Sequence, residues 1–263
     1  MACQRLGTKQ FVEFFCGSGG LVAAAVELGL RTAWYDAQLG SARMDICTDE
    51  GFAMAIGLAL SLCRGGVAWF GVPCSTFVWI SRGHTKRSRR KPLGDESRRD
   101  VQDANVILLR VVLLLQVLAL RQVFFVIEQP ASSVLFRMPA FRALLRSRLC
   151  IGRHRLQKRF LWLGHFGHRF WKPTLLVGIF PGLRARRELS SRRPPPRIAK
   201  AWHKWKDAQG RVRCAGTMNL KATEHYPARF CHCMVRLVSE VVRSPCTIPH
   251  GLGKLSKPVA TVD

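Results

Sequence analysis

Three short segments of the sequence carry residue types that could do chemistry, and each follows an apolar run. The first is a glycine-rich turn at residues 16–20, the second is Cys74 directly after Pro73, and the third is Glu128. A cysteine thiolate is a nucleophile, and a buried glutamate has a raised pKa that suits it to proton transfer. The three segments therefore predict a ligand-binding turn, a nucleophile and a proton-handling acid.

The glycine-rich turn joins an apolar run to a helical pattern, so a helix amino terminus with free N–H groups is expected there. Such a turn suits a nucleotide-like cofactor. Residues 21–26 lack the third glycine of the dinucleotide pattern, which disfavours a nicotinamide cofactor. Downstream, Asp36 follows Trp34 and Tyr35 and could hold ribose hydroxyls. The alternatives are a purely structural turn and an ordinary solvated acid.

The surroundings of Cys74 and Glu128 leave two interpretations open for each residue. Eight Lys and Arg residues against two acids between positions 82 and 99 favour a Cys74 thiolate, whereas the alternative is a buried structural cysteine. At the end of a buried strand, Glu128 suits hydrogen bonding to a ring nitrogen and an amino group. Its alternative is an acid at a helix amino terminus, because residues 131–135 could begin a helix.

These residues lie on a repeating pattern of strands and helices. Short apolar runs at 11–15, 67–70 and 123–127 predict buried strands, and longer patterns at 21–28 and 101–118 predict helices. Strands that alternate with helices are typical of an α/β fold with a mostly parallel, doubly wound sheet. The remaining predicted elements are a hairpin of strands 159–163 and 175–179 and a helix 232–242.

The charge of the chain indicates a polyanionic partner. Its 263 residues include 42 Lys and Arg against 16 Asp and Glu, a formal net charge of +26. Nucleic acid is the first candidate. An anionic membrane is the second, but polar residues interrupt the apolar stretch 106–127, so no membrane span is expected. Ten cysteines without a secretory signal predict a reduced intracellular protein, and the lack of paired Cys-x-x-Cys spacing predicts no metal site.

Taken in order, the turn Phe15-x-Gly17-x-Gly19, the pair Pro73-Cys74 and Glu128 resemble motifs of the cytosine-5 DNA methyltransferases. The resemblance covers residues 11–178, about two thirds of the chain. It implies a class I, Rossmann-like methyltransferase fold and the cofactor S-adenosylmethionine. The cofactor-binding residues that it implies are Phe15, Gly17, Gly19, Asp36, Asp45 and Ile46.

The same resemblance assigns catalytic roles to three residues. It implies that Cys74 attacks C6 of a flipped cytosine and that Glu128 engages N3 and the exocyclic amine. The family's Gln-x-Arg-x-Arg run aligns with Phe170, Lys172 and Thr174, so Lys172 keeps one of its cations.

Two departures from the family pattern affect the site and the fold. Gln129 and Pro130 follow the glutamate where the family has Asn-Val, which keeps a side-chain amide but changes the turn. Asp36 and Asp45 are nine positions apart, so the helix usual between the second and third strands is expected to be very short or absent.

The resemblance also divides the chain into three parts: a catalytic domain at 1–180, a short basic recognition segment at 181–215, and a segment at 216–263 whose helix packs back on the catalytic domain. Cations before and within the recognition segment predict contacts with phosphates. The basic residues expected to bind nucleic acid are Arg82, Lys86, Arg87, Arg89, Arg90, Arg192, Arg193 and Arg197. Trp202 and Trp205 either stack on an exposed base or pack one small helix on the main domain.

Together these features predict an enzyme that transfers a methyl group from S-adenosylmethionine to C5 of cytosine in DNA through a covalent cysteine adduct. Two alternatives stay open. An RNA substrate would give the same sequence features, because groove charge does not distinguish the sugars. A catalytically silent nucleic-acid-binding module would explain the altered residues after Glu128 and the missing arginine pair. The expected location is intracellular, and nuclear in a eukaryote.

Overall fold

A central sheet of six strands organises the residues that the computed structural model describes, which are 7–185, 194, 199 and 201–244. Within these residues the strands are β1 Lys9–Phe14, β2 Thr32–Tyr35, β3 Leu62–Phe70, β4 Phe124–Pro130, β5 Cys150–Ile151, β6 His154–Arg155, β7 Gln157–Trp162, β8 Pro173–Ile179, β9 Trp202–Lys206 and β10 Val212–Gly216. The strand order in the central sheet is β2-β1-β3-β4-β8-β7.

The sheet is mostly parallel, as the alternation of strands and helices predicts. β1 is parallel to both β2 and β3, and β3 is parallel to β4. β8 is antiparallel to β4, and β7 is antiparallel to β8. The prediction of a Rossmann-like α/β fold with a carboxyl-terminal hairpin is therefore confirmed.

Helices cover both faces of this sheet. The α-helices of the described residues are α1 Gly20–Glu27, α2 Asp49–Ser61, α3 Arg82–Thr85, α4 Arg99–Leu120, α5 Pro139–Arg146, α6 Gly182–Ala185 and α7 Ala228–Arg243. α7 packs on α1 and β3, whereas α4 packs on both α2 and α5. Right-handed crossovers place α1 on one face of the sheet and α2 and α4 on the other.

The apolar runs that predict strands form the centre of the core. Val126 and Ile127 of β4 have no exposed surface, and the rings of Phe14 and Phe70 stack with their centroids 4.6 Å apart. Helix α4 is long and apolar enough to cross a membrane, with a mean hydropathy of 2.0 over its most apolar window. Its inward side packs on the sheet and on two neighbouring helices, so this helix is part of the core.

The connection from β2 to β3 contains a full helix, α2, so the expectation of a very short or absent helix there is wrong. The spacing of Asp36 and Asp45 does not limit this connection, because only the 3₁₀ turn Ala42–Met44 lies between them and the helix follows Asp45. Helix α2 then begins after Thr48, whose hydroxyl accepts a 3.0 Å hydrogen bond from the N–H of Gly51. The sequence pattern does not predict α2. Because the chain returns from α2 directly to β3, β2 is an edge strand of the central sheet.

Candidate functional site

The carboxyl ends of three neighbouring parallel strands form one edge of the sheet. Phe14 of β1 pairs with Phe70 of β3, and Phe70 pairs with Ile127 of β4. The glycine-rich turn, Cys74 and Glu128 come directly or shortly after these three residues. Strand register therefore brings the three segments together at the edge where open α/β sheets bind ligands.

The backbone of the glycine-rich turn has an open face. Phe15, Gly17 and Gly19 have φ angles of 59°, 53° and 68°. The N–H of Phe15 donates to the carbonyl of Tyr35 at 2.7 Å, which ties the turn to β2. A Cβ atom on Gly17 or Gly19 would meet no protein atom within 4 Å. A ligand can therefore approach the backbone closely at both glycines.

The acids and the isoleucine that the resemblance assigns to the cofactor lie after β2. Oδ2 of Asp36 accepts a 2.9 Å hydrogen bond from the N–H of Gly17, and its Oδ1 accepts from Gln38 at 2.8 Å. Asp45 accepts from the N–H of Cys47 at 2.9 Å, and the side chain of Ile46 is buried. Asp36 is thus fixed against the glycine-rich turn, whereas Asp45 stabilises its own turn.

Glu13, which the sequence analysis does not single out, lies beneath the same turn. Its side chain is 1% exposed inside β1, and Oε2 accepts a 3.0 Å hydrogen bond from the N–H of Val22 in α1. Its Oε1 is buried and has no hydrogen-bond partner in the part of the chain that the structure describes. Burial raises the pKa of Glu13 to about 8, the hydrogen bond from Val22 lowers it, and the charge of Asp36 raises it. The carboxyl therefore carries a proton through most of the neutral range.

Cys74 lies in the turn that follows β3. Its carbonyl accepts hydrogen bonds from the N–H groups of Phe77 at 2.9 Å and Val78 at 3.2 Å, and the residue is half-buried. Burial and then the charge of Glu128 raise the pKa of the Cys74 thiol to about 11, while the charge of Lys172 lowers it. The expectation that the nearby basic run favours a thiolate is wrong for the free protein, because desolvation outweighs the attraction of exposed cations.

Glu128 lies inside β4, opposite Leu176 of β8, and is 6% exposed. The alternative of an acid at a helix amino terminus is wrong, because the next α-helix begins only at Pro139. Oε2 of Glu128 accepts a 3.1 Å hydrogen bond from the hydroxyl of Tyr226. Its Oε1 is buried with no partner among the described residues. Since buried polar atoms are normally hydrogen-bonded, Oε1 is an acceptor available to a ligand.

Tyr226 connects Glu128 to the neighbouring strand. Its hydroxyl accepts a 3.3 Å hydrogen bond from Nε1 of Trp69 in β3 and donates to Glu128. Burial, followed by the charge of Glu128, raises the pKa of the Tyr226 phenol well above its usual value, so it stays protonated as a donor. The sequence analysis does not single out this residue.

Lys172 lies at the mouth of the β7–β8 hairpin, just before β8, with a φ of 36°. Its Nζ is 5.3 Å from the ring centroid of Tyr226, a cation–π contact. Its charge also lowers the pKa of the Cys74 thiol. Cys74 therefore experiences the opposing charges of Glu128 and Lys172. The hydroxyl of Thr174, the next aligned position, instead donates to the carbonyl of Lys172 at 3.1 Å.

Gln129, at the position where the family has Asn, joins the two strand ends. Its side chain is fully buried, and its Nε2 donates to the carbonyl of Val72, two residues before Cys74. Its Oε1 accepts a 2.9 Å hydrogen bond from the hydroxyl of Ser133. The amide therefore holds the Cys74 turn against β4. Gln129, which stands where the family has Asn, thus has a structural role.

One of the basic residues expected to contact nucleic acid is buried instead. The Arg87 side chain is 1% exposed, and its guanidinium donates to Asn105 Oδ1 at 2.8 Å and to the carbonyl of Pro92 at 2.6 Å. It also lies 4.3 Å over the ring of Phe77. Arg87 therefore cannot reach a phosphate, and that prediction is wrong. Arg82, Lys86, Arg89 and Arg90 are exposed, while Arg192, Arg193 and Arg197 lie outside the described residues.

The two tryptophans of the basic recognition segment lie on a hairpin of β9 and β10, so the expectation of a small helix is wrong. The ring of Trp202 contacts that of Trp79 with centroids 4.7 Å apart, which brings the hairpin beside the segment after Cys74. Trp205 is 45% exposed and stacks on His203 at 4.9 Å. The His203 and Trp205 pair is an exposed aromatic surface of the kind on which bases stack.

Solved structures to which the chain is similar include two methyltransferases. A methyltransferase of Entamoeba histolytica, EhMeth, has 13% sequence identity and a TM-score of 0.41 over 65% of this chain and 53% of its own. The Dnmt2 methyltransferase of S. pombe has 14% identity and a TM-score of 0.36 over 65% of this chain and 48% of its own. The chain thus matches about half the length of each. No protein-family model matches the sequence, and no curated protein does.

Proposed function

We propose that this protein transfers a methyl group from S-adenosylmethionine to C5 of cytosine in nucleic acid, with DNA as the first substrate to test. The main observation in support is that Cys74 and Glu128 are brought together at the ends of adjacent strands. The free, buried Oε1 of Glu128 is an acceptor for an exocyclic amino group. Lys172, which lies over the ring of Tyr226 and lowers the pKa of the Cys74 thiol, supports the same assignment.

The residues after β1 and β2 fit the proposed cofactor. The turn at Gly17 and Gly19 leaves its backbone open to a ligand, and Asp36 is held next to it where an acid can bind ribose hydroxyls. Phe15, Asp45 and Ile46 complete the set that the resemblance implies. Bound S-adenosylmethionine would supply an electrophilic methyl group at this edge of the sheet.

The chemistry explains why a thiol and a carboxyl are needed together. C5 of cytosine is a poor nucleophile until a group adds at C6. The Cys74 thiol gives its proton to solvent, and its sulfur then forms the bond to C6. A Glu128 carboxyl that shares its proton with N3 stabilises the charge gained by the ring. After methyl transfer, a solvent base takes the C5 proton, the C5–C6 double bond re-forms, and the Cys74 sulfur leaves.

A covalent trap tests this proposal. Fluorine at C5 cannot leave as a proton, so 5-fluorocytosine in duplex DNA, single-stranded DNA or structured RNA should hold the enzyme as an adduct in the presence of S-adenosylmethionine. The adduct should be lost in Cys74→Ser, because a serine hydroxyl is far less ionised than a thiol. Glu128→Gln should slow adduct formation without changing cofactor affinity. The polymer that gives the fastest adduct identifies the substrate.

A catalytically silent nucleic-acid-binding module is the second candidate, and the raised pKa of the Cys74 thiol favours it. That function predicts binding of both S-adenosylmethionine and nucleic acid with no adduct on any cytosine-containing polymer. An adduct that persists in Cys74→Ser but disappears when another cysteine is changed would instead show that Cys74 is not the nucleophile.

A further inference from the structure

Five exposed arginines line an open surface cavity of about 320 Å³ that has no acidic residue in its wall. These residues are Arg89, Arg90, Arg137, Arg142 and Arg146, and we call this surface the arginine cleft. Within the described part of the chain, none of the five forms an ion pair or a side-chain hydrogen bond. Five unpaired guanidinium groups around one cavity make a site for a polyanion.

One wall of the arginine cleft is a rigid turn. The N–H of Ser88 donates to the carbonyl of Lys91 at 3.0 Å, and the N–H of Lys91 donates to the Ser88 hydroxyl at 2.9 Å. Arg89 and Arg90 form the tip of this turn. The buried guanidinium of Arg87 fastens its base to the core. The backbone that carries the two exposed cations is therefore held in place before any ligand binds.

The opposite wall is formed by the segment after β4. Arg137 ends a 3₁₀ turn, and Arg142 and Arg146 lie one turn apart on α5. Like charges at this spacing repel each other on a helix surface. No acid of the described residues pairs with either arginine. Both guanidinium groups are therefore available to an external anion, and its binding would also offset this repulsion.

Both walls continue the segments that carry the proposed reaction. The turn with Arg89 follows Cys74 along the chain, and α5 follows Glu128. The N–H of Val134 donates to the carbonyl of Phe77 at 2.9 Å, which joins the two segments between the site and the cleft. A polymer held in the cleft would therefore be anchored on the same two connections that present the thiol and the carboxyl.

We propose that the arginine cleft binds the phosphodiester backbone of the nucleic acid substrate outside the base-binding site. This proposal rests on the proposed function, which identifies the polymer as nucleic acid. Guanidinium groups match phosphate oxygens in a bidentate geometry, and a repeating phosphate chain can engage several of them at once. Phosphate contacts give affinity and orientation but no choice of base sequence.

The test compares two double variants with the same change in charge. Arg142→Gln/Arg146→Gln removes two cleft cations from α5, and Arg236→Gln/Arg243→Gln removes two exposed cations from α7, which packs on α1. Fluorescence anisotropy measures the Kd for a short labelled DNA duplex and for the same sequence as single-stranded DNA and RNA. The salt concentration is varied between about 50 and 200 mM.

For the cleft variant we expect Kd to rise by roughly tenfold or more and the slope of log K against log salt to fall by about 0.9 per lost duplex contact. The α7 variant should keep the parent slope. Thermal unfolding should show no loss of stability, because the cleft variant relieves repulsion on α5. If that variant nevertheless unfolds, Arg89→Gln/Arg90→Gln on the opposite wall gives the same test.

Equal effects of the two double variants would overturn the proposal, since net charge alone would explain them. Competition by polyglutamate as strong as by an oligonucleotide of equal charge would also overturn it and indicate an acidic protein partner. The 5-fluorocytosine trap separates the two proposals. If the cleft variant loses affinity and no adduct forms on any polymer, the cleft assignment stands and the methyl transfer fails. If an adduct forms and the cleft variant keeps the parent affinity for nucleic acid, the methyl transfer stands and the cleft assignment fails.

Discussion

The hydroxyl of Tyr226 donates a 3.1 Å hydrogen bond to Oε2 of Glu128, across 98 positions of sequence. The same hydroxyl accepts from Nε1 of Trp69, so its hydrogen is directed at the carboxyl. One oxygen of Glu128 is therefore held by the protein and the other is left for a ligand. The carboxyl is oriented before substrate binds, which is what a group that acts on a base requires.

Tyr226→Phe should slow methyl transfer to cytosine by about tenfold, because one hydrogen bond to an ionisable group is lost while the ring remains. The affinity for S-adenosylmethionine should not change. Tyr35→Phe is a matched control, since its hydroxyl bonds the carbonyl of Gly51 within the core. Steady-state rates and calorimetric titration of the cofactor give both readouts. Equal loss of rate in the two variants would remove Tyr226 from the site.

The rate at which Cys74 is alkylated should depend on the charged residues around it. With a thiol pKa of about 11, its thiolate is scarce at pH 8 and becomes common only well above that. Glu128→Gln removes a charge that raises the pKa, so alkylation at pH 8 should speed up. Lys172→Gln removes a charge that lowers the pKa, so alkylation should slow down.

Peptide mass spectrometry after iodoacetamide treatment measures these rates at each cysteine. The exposed Cys150 is the internal control, and its rate should be the same in both variants. Changes of the same sign at Cys74 in Glu128→Gln and Lys172→Gln would contradict the electrostatic arrangement of the site.

The buried carboxyl of Glu13 should make the protein less stable as the pH rises. Its pKa is raised from 4.5 to about 8 in the folded state, so the folded protein binds the proton more tightly than the unfolded chain. Between about pH 4.5 and 8, this group alone lowers the free energy of unfolding by up to about 1.4 kcal/mol per pH unit. Its destabilising effect is complete above pH 8.

Glu13→Gln should therefore flatten the pH dependence of stability, measured by urea unfolding at several pH values. The exposed Glu96→Gln is the control and should leave the profile unchanged. An identical profile in Glu13→Gln and the parent would show that the carboxyl is not protonated in the fold.

Gly19→Ala should abolish binding of S-adenosylmethionine, because its Cβ would occupy the open face of the turn. Gly29→Ala, at the other end of α1, is matched to it: its φ is 70° against 68°, and neither Cβ meets a protein atom within 4 Å. Both variants should lose about 1 kcal/mol of stability through backbone strain. Only Gly19→Ala should lose the cofactor in a calorimetric titration. Loss of binding in both variants would indicate strain rather than contact.

The order and type of the main elements could be predicted from the amino-acid sequence, and with them the kind of sheet. The short apolar runs around Val67 and Val126 indicated buried strands, and their alternation with helical patterns is typical of parallel pairing. Because parallel strands end at one edge, the glycine-rich turn, Cys74 and Glu128 were placed together by local pattern alone. The exposed Arg89 and Arg90 also follow from the density of charge in their segment.

The protonation and contacts of the groups at that edge depend on the folded chain. Desolvation acts through neighbours distant in sequence, so the raised pKa of the Cys74 thiol and the protonation of Glu13 could not be read from local charge. Arg87 lies in a run of exposed cations but is buried, because its guanidinium packs on Phe77 and donates a hydrogen bond to Asn105. The partnership of Tyr226 with Glu128 and the meeting of α5 with the Arg89 turn are likewise long-range contacts. A one-dimensional pattern predicts which face a residue occupies, whereas the folded chain decides which residue lies opposite.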